Sequence, residues 1–220
     1  MPTPPMAVKR FFAKQLARPT GLFGRFIMVR FLNAVTLSHN QLVLEQLAIS
    51  RTDRVLEVGF GGGALLRRII PLVPDGSVAG VEISEEMISH ARSLFRAQIA
   101  ARRVELYHGK VESLPYADAS FDKACSVNTI YFWPDLALAL AELARVIRPG
   151  GVLVLGFTSI DDVRSAGLDR LGFMPRSSDE LAVALAAQGF RPGLLQSGSD
   201  RRGTFFALTA ERIAHKPTRR

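Results

Sequence analysis

A carboxylate followed by clustered glycines is the part of this sequence whose residue types are best suited to hold a ligand. Glu57 lies in the apolar run VLEV, and Gly59, Gly61, Gly62 and Gly63 follow it. A tight turn requires one or two glycines, where the backbone needs a positive φ. Four glycines after a predicted strand indicate a backbone that a ligand approaches closely. The amides of such a turn, at the start of a helix, can bind a carboxylate or a phosphate.

Two kinds of ligand are compatible with this turn. The stretch GFGGGA (59–64) fits the dinucleotide fingerprint G-x-G-x-x-G/A, and Glu82 follows at the spacing of a ribose-binding acid. A pyrophosphate at the turn would be repelled by the carboxylate of Glu57. A ligand that carries an ammonium group would be attracted by it. The sequence therefore favours a cationic ligand, and NAD-dependent oxidoreduction is the less favoured alternative.

The chain around this turn alternates between the periods of strands and helices. Strands are predicted at 53–60, 76–84, 103–109, 121–129 and 152–158, and helices at 63–73, 85–100 and 136–147. This alternation predicts βαβ units and a parallel sheet covered on both faces. A helix follows at about 178–188. The segments 190–198 and 203–212 are only four residues apart, too few for a parallel crossover, so they predict an antiparallel hairpin.

Four stretches, in order along the chain, resemble the motifs of the class I S-adenosylmethionine-dependent methyltransferases. They are VLEVGFGGG, GVEISEEMISHA, GKVESLPYADASFDKACSVNTIYFW and ELARVIRPGGVLVL, within residues 52–158. The resemblance is strongest to the subgroup that contains ubiquinone and menaquinone biosynthesis enzymes. It implies an α/β fold with a Rossmann-like, doubly wound, seven-stranded sheet, mostly parallel with an antiparallel C-terminal hairpin. It also implies S-adenosyl-L-methionine as cofactor and methyl transfer to a small molecule by in-line displacement.

The resemblance assigns cofactor-binding roles to residues around the first two strands. Glu57 would lie near the amino group of the cofactor. Glu82 would accept from both ribose hydroxyls, and Ile83 would pack on the adenine. The methionine part and the ribose would be admitted by the glycines of the turn, Gly59, Gly61 and Gly63.

The third and fourth predicted strands supply the other assigned residues. Lys110 and Val111 match the positions that meet the adenine edge, and Asn128 matches a position beside the sulfonium. Lys110 departs from the family, which usually has an aspartate there to accept from the exocyclic amine of adenine. Because lysine has no acceptor, Glu112 or the backbone would have to supply that contact, or it is absent.

Methyl transfer needs alignment of the acceptor and, for some acceptors, removal of a proton. The stretch NTIYFWPD (128–135) follows the fourth strand, so Tyr131 and Trp133 are predicted to line the acceptor pocket, with packing as the alternative. His39 is predicted to close over the cofactor, with helix capping as the alternative. Tyr131 and His39 are the catalytic candidates. No group of residues has the spacing of metal ligands.

The remaining chain predicts a lid and sets limits on partners. The net charge of +8 divides into +6 over residues 1–54 and +5 over 201–220, which leaves −3 for the body. Residues 1–50 are predicted to be a helical lid, with helices before and after RPTG and another at 40–49. Residues 51–212 form the cofactor-binding domain, and 213–220 form a basic tail. A lid rich in phenylalanine, together with residues 159–180, favours an apolar or aromatic acceptor.

The basic segments at the two ends of the chain are compatible with more than one kind of partner. Residues 8–32 contain six Lys or Arg and no Asp or Glu, so this segment also fits peripheral contact with an anionic membrane, although we favour the lid. A methyltransferase acting on nucleic acid, protein or membrane lipid is a further alternative. Nucleic acid is disfavoured because NTIY is not the N-P-P-[YF] motif and no RNA-binding module is present. Cys125, the only cysteine, predicts a buried, inert thiol and a cytoplasmic setting.

Overall fold

A computed structural model describes residues 6–21 and 36–214 of this chain. These residues form a seven-stranded sheet in the order β3-β2-β1-β4-β5-β7-β6. The first five strands are parallel, whereas β7 is antiparallel to both β5 and β6. The strands are β1 (Arg54–Val58), β2 (Ser77–Glu82), β3 (Val104–His108), β4 (Phe121–Val127), β5 (Ile147–Thr158), β6 (Phe190–Asp200) and β7 (Gly203–Arg212). The mostly parallel sheet with an antiparallel C-terminal hairpin is confirmed.

Helices connect the parallel strands and cover the sheet. They are α1 (Met6–Ala17), α2 (Leu37–Leu47), α3 (Ala64–Ile69), α4 (Glu85–Leu94), α5 (Arg96–Ala100), α6 (Leu136–Val146), α7 (Ile160–Ser165) and α8 (Ser178–Ala187). Short 3₁₀ turns lie at Ile70–Leu72, Ile130–Phe132 and Asp169–Leu171. Among the described residues, no helix is long and apolar enough to cross a membrane.

The core lies on both faces of the sheet. Residues 55–58 of the central strand β1 are all buried, as expected for a parallel strand covered on each side. One apolar cluster packs β1, β4 and β5 against α6 and α8, and a second packs the other face against α2, α3 and α4. Cys125 lies in the second cluster with no exposed surface, and burial raises the pKa of its thiol.

Several element boundaries differ from the sequence predictions. The helix expected at 40–49 begins at Leu37. The helix expected at 85–100 is two helices, because the backbone of Phe95 leaves the helical conformation. The strand expected from residue 152 begins at Ile147, which pairs with Phe121. The first predicted N-terminal helix is α1, whereas the second, after RPTG, falls outside the described residues, as does most of the basic tail.

Candidate active site

The turn between β1 and α3 has the backbone that its glycines predict. Gly59, Gly61 and Gly63 all have positive φ, at 72°, 51° and 76°. A Cβ on Gly59 would lie 2.3 Å from Cγ2 of Thr129, so a side chain there would collide with the segment after β4. A Cβ on Gly63 would lie 3.0 Å from the Phe95 ring. Gly63 therefore serves packing of α3, while Gly59 and Gly61 face a cavity.

This cavity has a volume of about 520 Å³ and lies at the carboxyl edge of the parallel strands. Its walls come from the glycine turn, the ends of β1, β2, β3 and β4, and the segment that follows α1. The predicted residues that line it are Glu57, Gly59, Gly61, Glu82, Ile83, Lys110, Val111, Glu112 and Asn128. Residues that were not singled out and also line it include Leu16, Arg18, Pro19, Thr36, Asn40 and Phe132.

The carboxyl group of Glu57 lies in the cavity wall, where burial makes its ionisation unfavourable. Its side chain is only 3% exposed, and its Oε2 atom has no hydrogen-bond partner among the described residues. Burial, with a further contribution from the charge of Glu82, raises the pKa of Glu57 to about 8. A hydrogen bond from the backbone of Leu66 opposes that shift. An unpartnered carboxylate oxygen beside a cavity is an acceptor suited to an ammonium group.

Glu82 ends β2 and joins the turn to the following helix. Its Oε2 accepts from the backbone N–H of Gly61 at 2.9 Å, and its Oε1 accepts from the N–H of Ser84 at 2.9 Å. Burial raises the pKa of Glu82, and these backbone hydrogen bonds oppose that rise. Each carboxylate oxygen has a second lone pair. The side chain is therefore fixed by two backbone donors and can still accept from two neighbouring hydroxyls.

The segment after β3 contributes a wall of mixed polarity. Val111 is buried, whereas Lys110 is exposed at the margin of the cavity. Glu112 has a buried Oε1 atom with no partner among the described residues. The segment therefore places the apolar side chain of Val111 beside a hydrogen-bond acceptor, Glu112. This acceptor lies two positions after Lys110.

Asn128 follows β4 in a left-handed conformation, with φ of 56°. Its N–H donates to the carbonyl of Gly156 at 2.8 Å, which fixes the backbone at the end of the strand. Its Nδ2 donates to Nδ1 of His39 at 2.9 Å, and its Oδ1 accepts from the hydroxyl of Tyr131 at 3.2 Å. The Tyr131 hydroxyl in turn accepts from the N–H of Thr158. The carboxamide of Asn128 is therefore held in one orientation at the cavity wall.

His39 and Tyr131 themselves do not line the cavity. Burial lowers the pKa of His39 to about 4, and its ring stacks on Phe205 with centroids 4.1 Å apart. Burial raises the pKa of Tyr131 to about 12. Both side chains are thus neutral near pH 7 and contact the site through Asn128. Trp133, by contrast, lines the cavity directly.

The segment after α1, which we call the strap (residues 18–21), lies beside the cavity and is held in place by two hydrogen bonds. The carbonyl of Pro19 accepts from Oγ of Ser84 at 2.6 Å, and the N–H of Gly21 donates to Oε1 of Glu86 at 2.7 Å. Ser84 and Glu86 lie at the start of α4, two and four residues after Glu82. The break at RPTG was the only signal in the sequence for this contact. Among the described residues, no group of three or more His, Cys, Asp or Glu could hold a metal ion.

Comparisons with known proteins agree with this geometry. Residues 56–155 match the family model described as a methyltransferase domain. The chain is 31% identical to the O-methyltransferase rstn1 of Aspergillus nomiae over 67% of this chain and 68% of that protein. It is 32% identical to the uncharacterized methyltransferase YdaC of Bacillus subtilis over 51% of this chain and 60% of that protein.

A solved structure extends the likeness to the fold. The S-adenosylmethionine-dependent methyltransferase from Aquifex aeolicus superposes with a TM-score of 0.68 at 21% identity, covering 84% of this chain and 97% of that one. The match spans from 40% to 68% of the length of the first four curated relatives. With the sheet order and the glycine turn, these matches establish that the chain belongs to the class I S-adenosylmethionine-dependent methyltransferases.

Proposed function

We propose that this protein transfers a methyl group from S-adenosylmethionine to a small apolar or aromatic molecule. The observation that carries the proposal is the buried, unpartnered Oε2 of Glu57 at a cavity walled by the glycine turn. That arrangement suits a ligand with both an ammonium group and a nucleoside. When bound, the cofactor supplies a methyl group on a sulfonium, which is already activated for displacement.

The residues around the turn would hold the cofactor. Glu57 binds the ammonium group, and the free lone pairs of Glu82 accept from the ribose hydroxyls. Ile83 and Val111 provide apolar contacts for the adenine. Glu112, with its unpartnered oxygen, accepts from the exocyclic amine in place of the aspartate that Lys110 replaces.

The apolar part of the cavity wall would hold the acceptor. Phe132, Trp133 and Leu16 of α1 contribute aromatic and aliphatic side chains to that wall. The carboxamide of Asn128 presents a hydrogen-bonding group there, oriented by its bonds to His39 and Tyr131. Catalysis in this arrangement rests on proximity and alignment, which can supply most of the rate enhancement for an activated donor. O-methylation is the form of transfer named for the Aspergillus relative.

The strap completes the proposed site as part of a lid that excludes water. Its two hydrogen bonds to α4 close the cavity beside Glu82. The buried, free thiol of Cys125 fits a reducing compartment, and we propose the cytoplasm as the location.

Calorimetric titration of the full chain with S-adenosylmethionine and, separately, with NAD tests the cofactor assignment. We expect binding of the first and none of the second. Gly61→Val should abolish binding, because a branched side chain would enter the cavity. Gly167→Val is a matched control, since Gly167 also has a positive φ of 67° and lies in open space away from the cavity lining. Normal cofactor binding by a folded Gly61→Val variant would contradict the proposal.

Transfer itself is tested with radiolabelled methyl donor and pools of hydroxylated aromatic and aliphatic compounds. We expect label in apolar extractable products and none in added RNA or protein. Label in a macromolecule alone would contradict the small-molecule acceptor while leaving the cofactor assignment intact.

A further inference from the structure

The methionine end of S-adenosylmethionine carries two charged groups, an ammonium and a carboxylate. The cavity provides for the ammonium through Glu57, whose unpartnered oxygen is a suitable acceptor. The carboxylate must lie close to the ammonium, since both groups are bonded to one carbon atom. When ionised, Glu57 and Glu82 repel a further negative charge in this part of the cavity. The carboxylate therefore needs a hydrogen-bond donor or a cation of its own.

The amides of the glycine turn are largely occupied by the protein itself. The N–H groups of Gly59 and Gly63 donate to backbone carbonyls at 2.7 and 2.9 Å. The N–H of Gly61 donates to the carboxylate of Glu82 at 2.9 Å. Although the sequence predicts that such a turn can bind a carboxylate, these three amides already have acceptors. A cation in the cavity wall is therefore the better candidate.

Two of the described residues that line the cavity are cations, Arg18 and Lys110. Lys110 follows β3, the edge strand, and β2 lies between that strand and β1, which holds Glu57. Arg18 begins the strap, which is bonded to the start of α4, directly after β2. Since β2 pairs with β1, the strap is one strand closer to Glu57 than Lys110 is.

Helix α1 and the strap together extend past both sides of β1. Helix α1 contacts Asp169–Leu171. The same loop donates from the N–H of Met174 to the carbonyl of Tyr131, which follows β4, at 3.1 Å. The strap, at the other end, is bonded to the helix that follows β2. Because β1 lies between β4 and β2, Arg18, at the junction of α1 and the strap, is placed beside the end of β1.

The backbone of Arg18 is fixed, whereas its guanidinium is available to a ligand. The N–H of Arg18 donates to the carbonyl of Lys14 at 2.8 Å. The side chain is exposed, and no hydrogen bond or ion pair within 4 Å holds it among the described residues. A hydrogen bond from Gly21 lowers the pKa of Glu86, and the charge of Arg18 contributes to that shift. The planar guanidinium has five N–H donors in a geometry that matches the two oxygens of a carboxylate.

We propose that Arg18 binds the carboxylate of the methionine end of S-adenosylmethionine, while Glu57 binds its ammonium. The inference rests on the proposed role of Glu57 and adds a residue that determines cofactor specificity. The pair of guanidinium and carboxylate is bidentate, and it connects the bound amino-acid group to the strap. A cofactor analogue without the carboxylate leaves Arg18 unpaired and gains nothing from the strap.

Calorimetric titration of the full chain with two ligands tests the role of Arg18. The ligands are S-adenosylmethionine and decarboxylated S-adenosylmethionine, which lacks only the carboxylate. Arg18→Gln should lower the affinity for S-adenosylmethionine by at least about tenfold, because charge-assisted hydrogen bonds are lost. The affinity for the decarboxylated ligand should change by less than about twofold, since it has no group for the guanidinium to bind. Arg18→Lys keeps the charge but not the planar fork, so its affinity for S-adenosylmethionine should be intermediate.

Lys14→Gln is the matched control. It removes one exposed cation from α1, one helical turn before Arg18, and Lys14 is not part of the cavity lining. Both affinities should change by less than about twofold, because an exposed charge away from the ligand contributes little. Thermal unfolding of each variant without ligand shows whether the fold is intact.

Three results would overturn the proposal while leaving the cofactor assignment intact. Equal loss of affinity for both ligands in Arg18→Gln would mean that the arginine contacts the nucleoside or only supports the strap. Unchanged affinity for S-adenosylmethionine would mean that other donors bind the carboxylate. An equally large loss in Lys14→Gln would indicate a general effect of net charge.

Failure of the broader assignments would look different. If the unsubstituted chain bound neither ligand, the cofactor assignment would be wrong, and the role of Arg18 with it. Because no acceptor is present in these titrations, failure of the proposed methyl transfer would leave them unchanged.

Discussion

The Nδ2 atom of Asn128 donates to Nδ1 of His39 at 2.9 Å, across 89 residues of sequence. An amide nitrogen can only donate, so Nδ1 of His39 must be unprotonated in this contact. The low pKa of His39 satisfies that requirement over the whole physiological range. A neutral histidine thus orients the carboxamide at the end of β4, and its ring is held by stacking on Phe205.

His39→Phe keeps a ring against Phe205 but removes the acceptor for Asn128. We expect the free energy of unfolding at pH 7 to fall by about 1–3 kcal/mol, the cost of an unsatisfied buried donor. Urea unfolding measures this loss. Tyr131→Phe removes the donor to Oδ1 of Asn128 and the acceptor for the N–H of Thr158, and should cost a similar amount. If both residues act through Asn128, each effect should shrink when Asn128→Ala is already present.

The stability difference between the unsubstituted chain and His39→Phe should depend on pH. Burial lowers the pKa of His39 from 6.5 to about 4, so the unfolded chain binds a proton that the folded chain does not. The contribution of His39 is therefore fully present above pH 6.5 and is lost as the pH falls toward 4. The loss should reach about 3 kcal/mol. A difference that stays constant between pH 4 and 7 would show that the imidazole is not buried in this way.

Glu82→Ala tests the ribose contact. Removing the carboxylate should weaken cofactor binding by at least about tenfold, since hydrogen bonds to a charged group contribute about 1.5–3 kcal/mol each. Calorimetric titration measures the affinity. The substitution also removes the acceptor for Gly61 and Ser84, so a ligand control is needed. Methylthioadenosine lacking both ribose hydroxyls should bind the two proteins nearly equally, and an equal loss for both ligands would argue against the ribose assignment.

The sequence predicted the parts of this molecule that depend on local pattern. The glycine turn, Glu57 and Glu82 could be placed because the turn and the strand ends are encoded by neighbouring residues. The RPGG segment (148–151) lies between the predicted helix 136–147 and the predicted strand 152–158, but it is part of β5 because Ile147 pairs with Phe121 on another strand. That pairing is non-local and leaves no signal in the segment itself. The bond between His39 and Asn128 and the strap at Ser84 escaped prediction for the same reason.

Glu57→Gln should raise the stability of the unliganded protein while it weakens cofactor binding. The pKa of Glu57 is raised to about 8, so its ionisation destabilises the fold as the pH rises from 4.5 to 8. Glutamine has no such cost and can still accept from the backbone of Leu66. We therefore expect the variant without ligand to melt at a higher temperature at pH 7.5. Its melting temperature should rise less than that of the unsubstituted chain when S-adenosylmethionine is added.

The same glutamate predicts proton release on binding. A bound ammonium group lowers the pKa of Glu57, so near pH 7 the unsubstituted chain should release close to one proton as the cofactor binds. Affinity should then rise between pH 6 and 7.5. Calorimetry in two buffers of different protonation enthalpy counts the protons. Release of the same number by Glu57→Gln would exclude this carboxyl as their source.

Lys110 and Glu112 allow a test of how the adenine edge is bound. If Glu112 accepts from the exocyclic amine, Glu112→Gln should lower the affinity for S-adenosylhomocysteine by about tenfold, because an ionised acceptor is lost. Lys110→Asp restores the residue usual in the family and should raise the affinity, more so in the Glu112→Gln background. The inosine counterpart of the ligand carries an oxygen in place of the amine. This inosine ligand should bind weakly to the unsubstituted chain, and Glu112→Gln should lower its affinity little further. If Glu112→Gln lowered the affinity for both ligands by the same factor, Glu112 would not contact the amine. Its unpartnered oxygen would then be only part of the cavity wall.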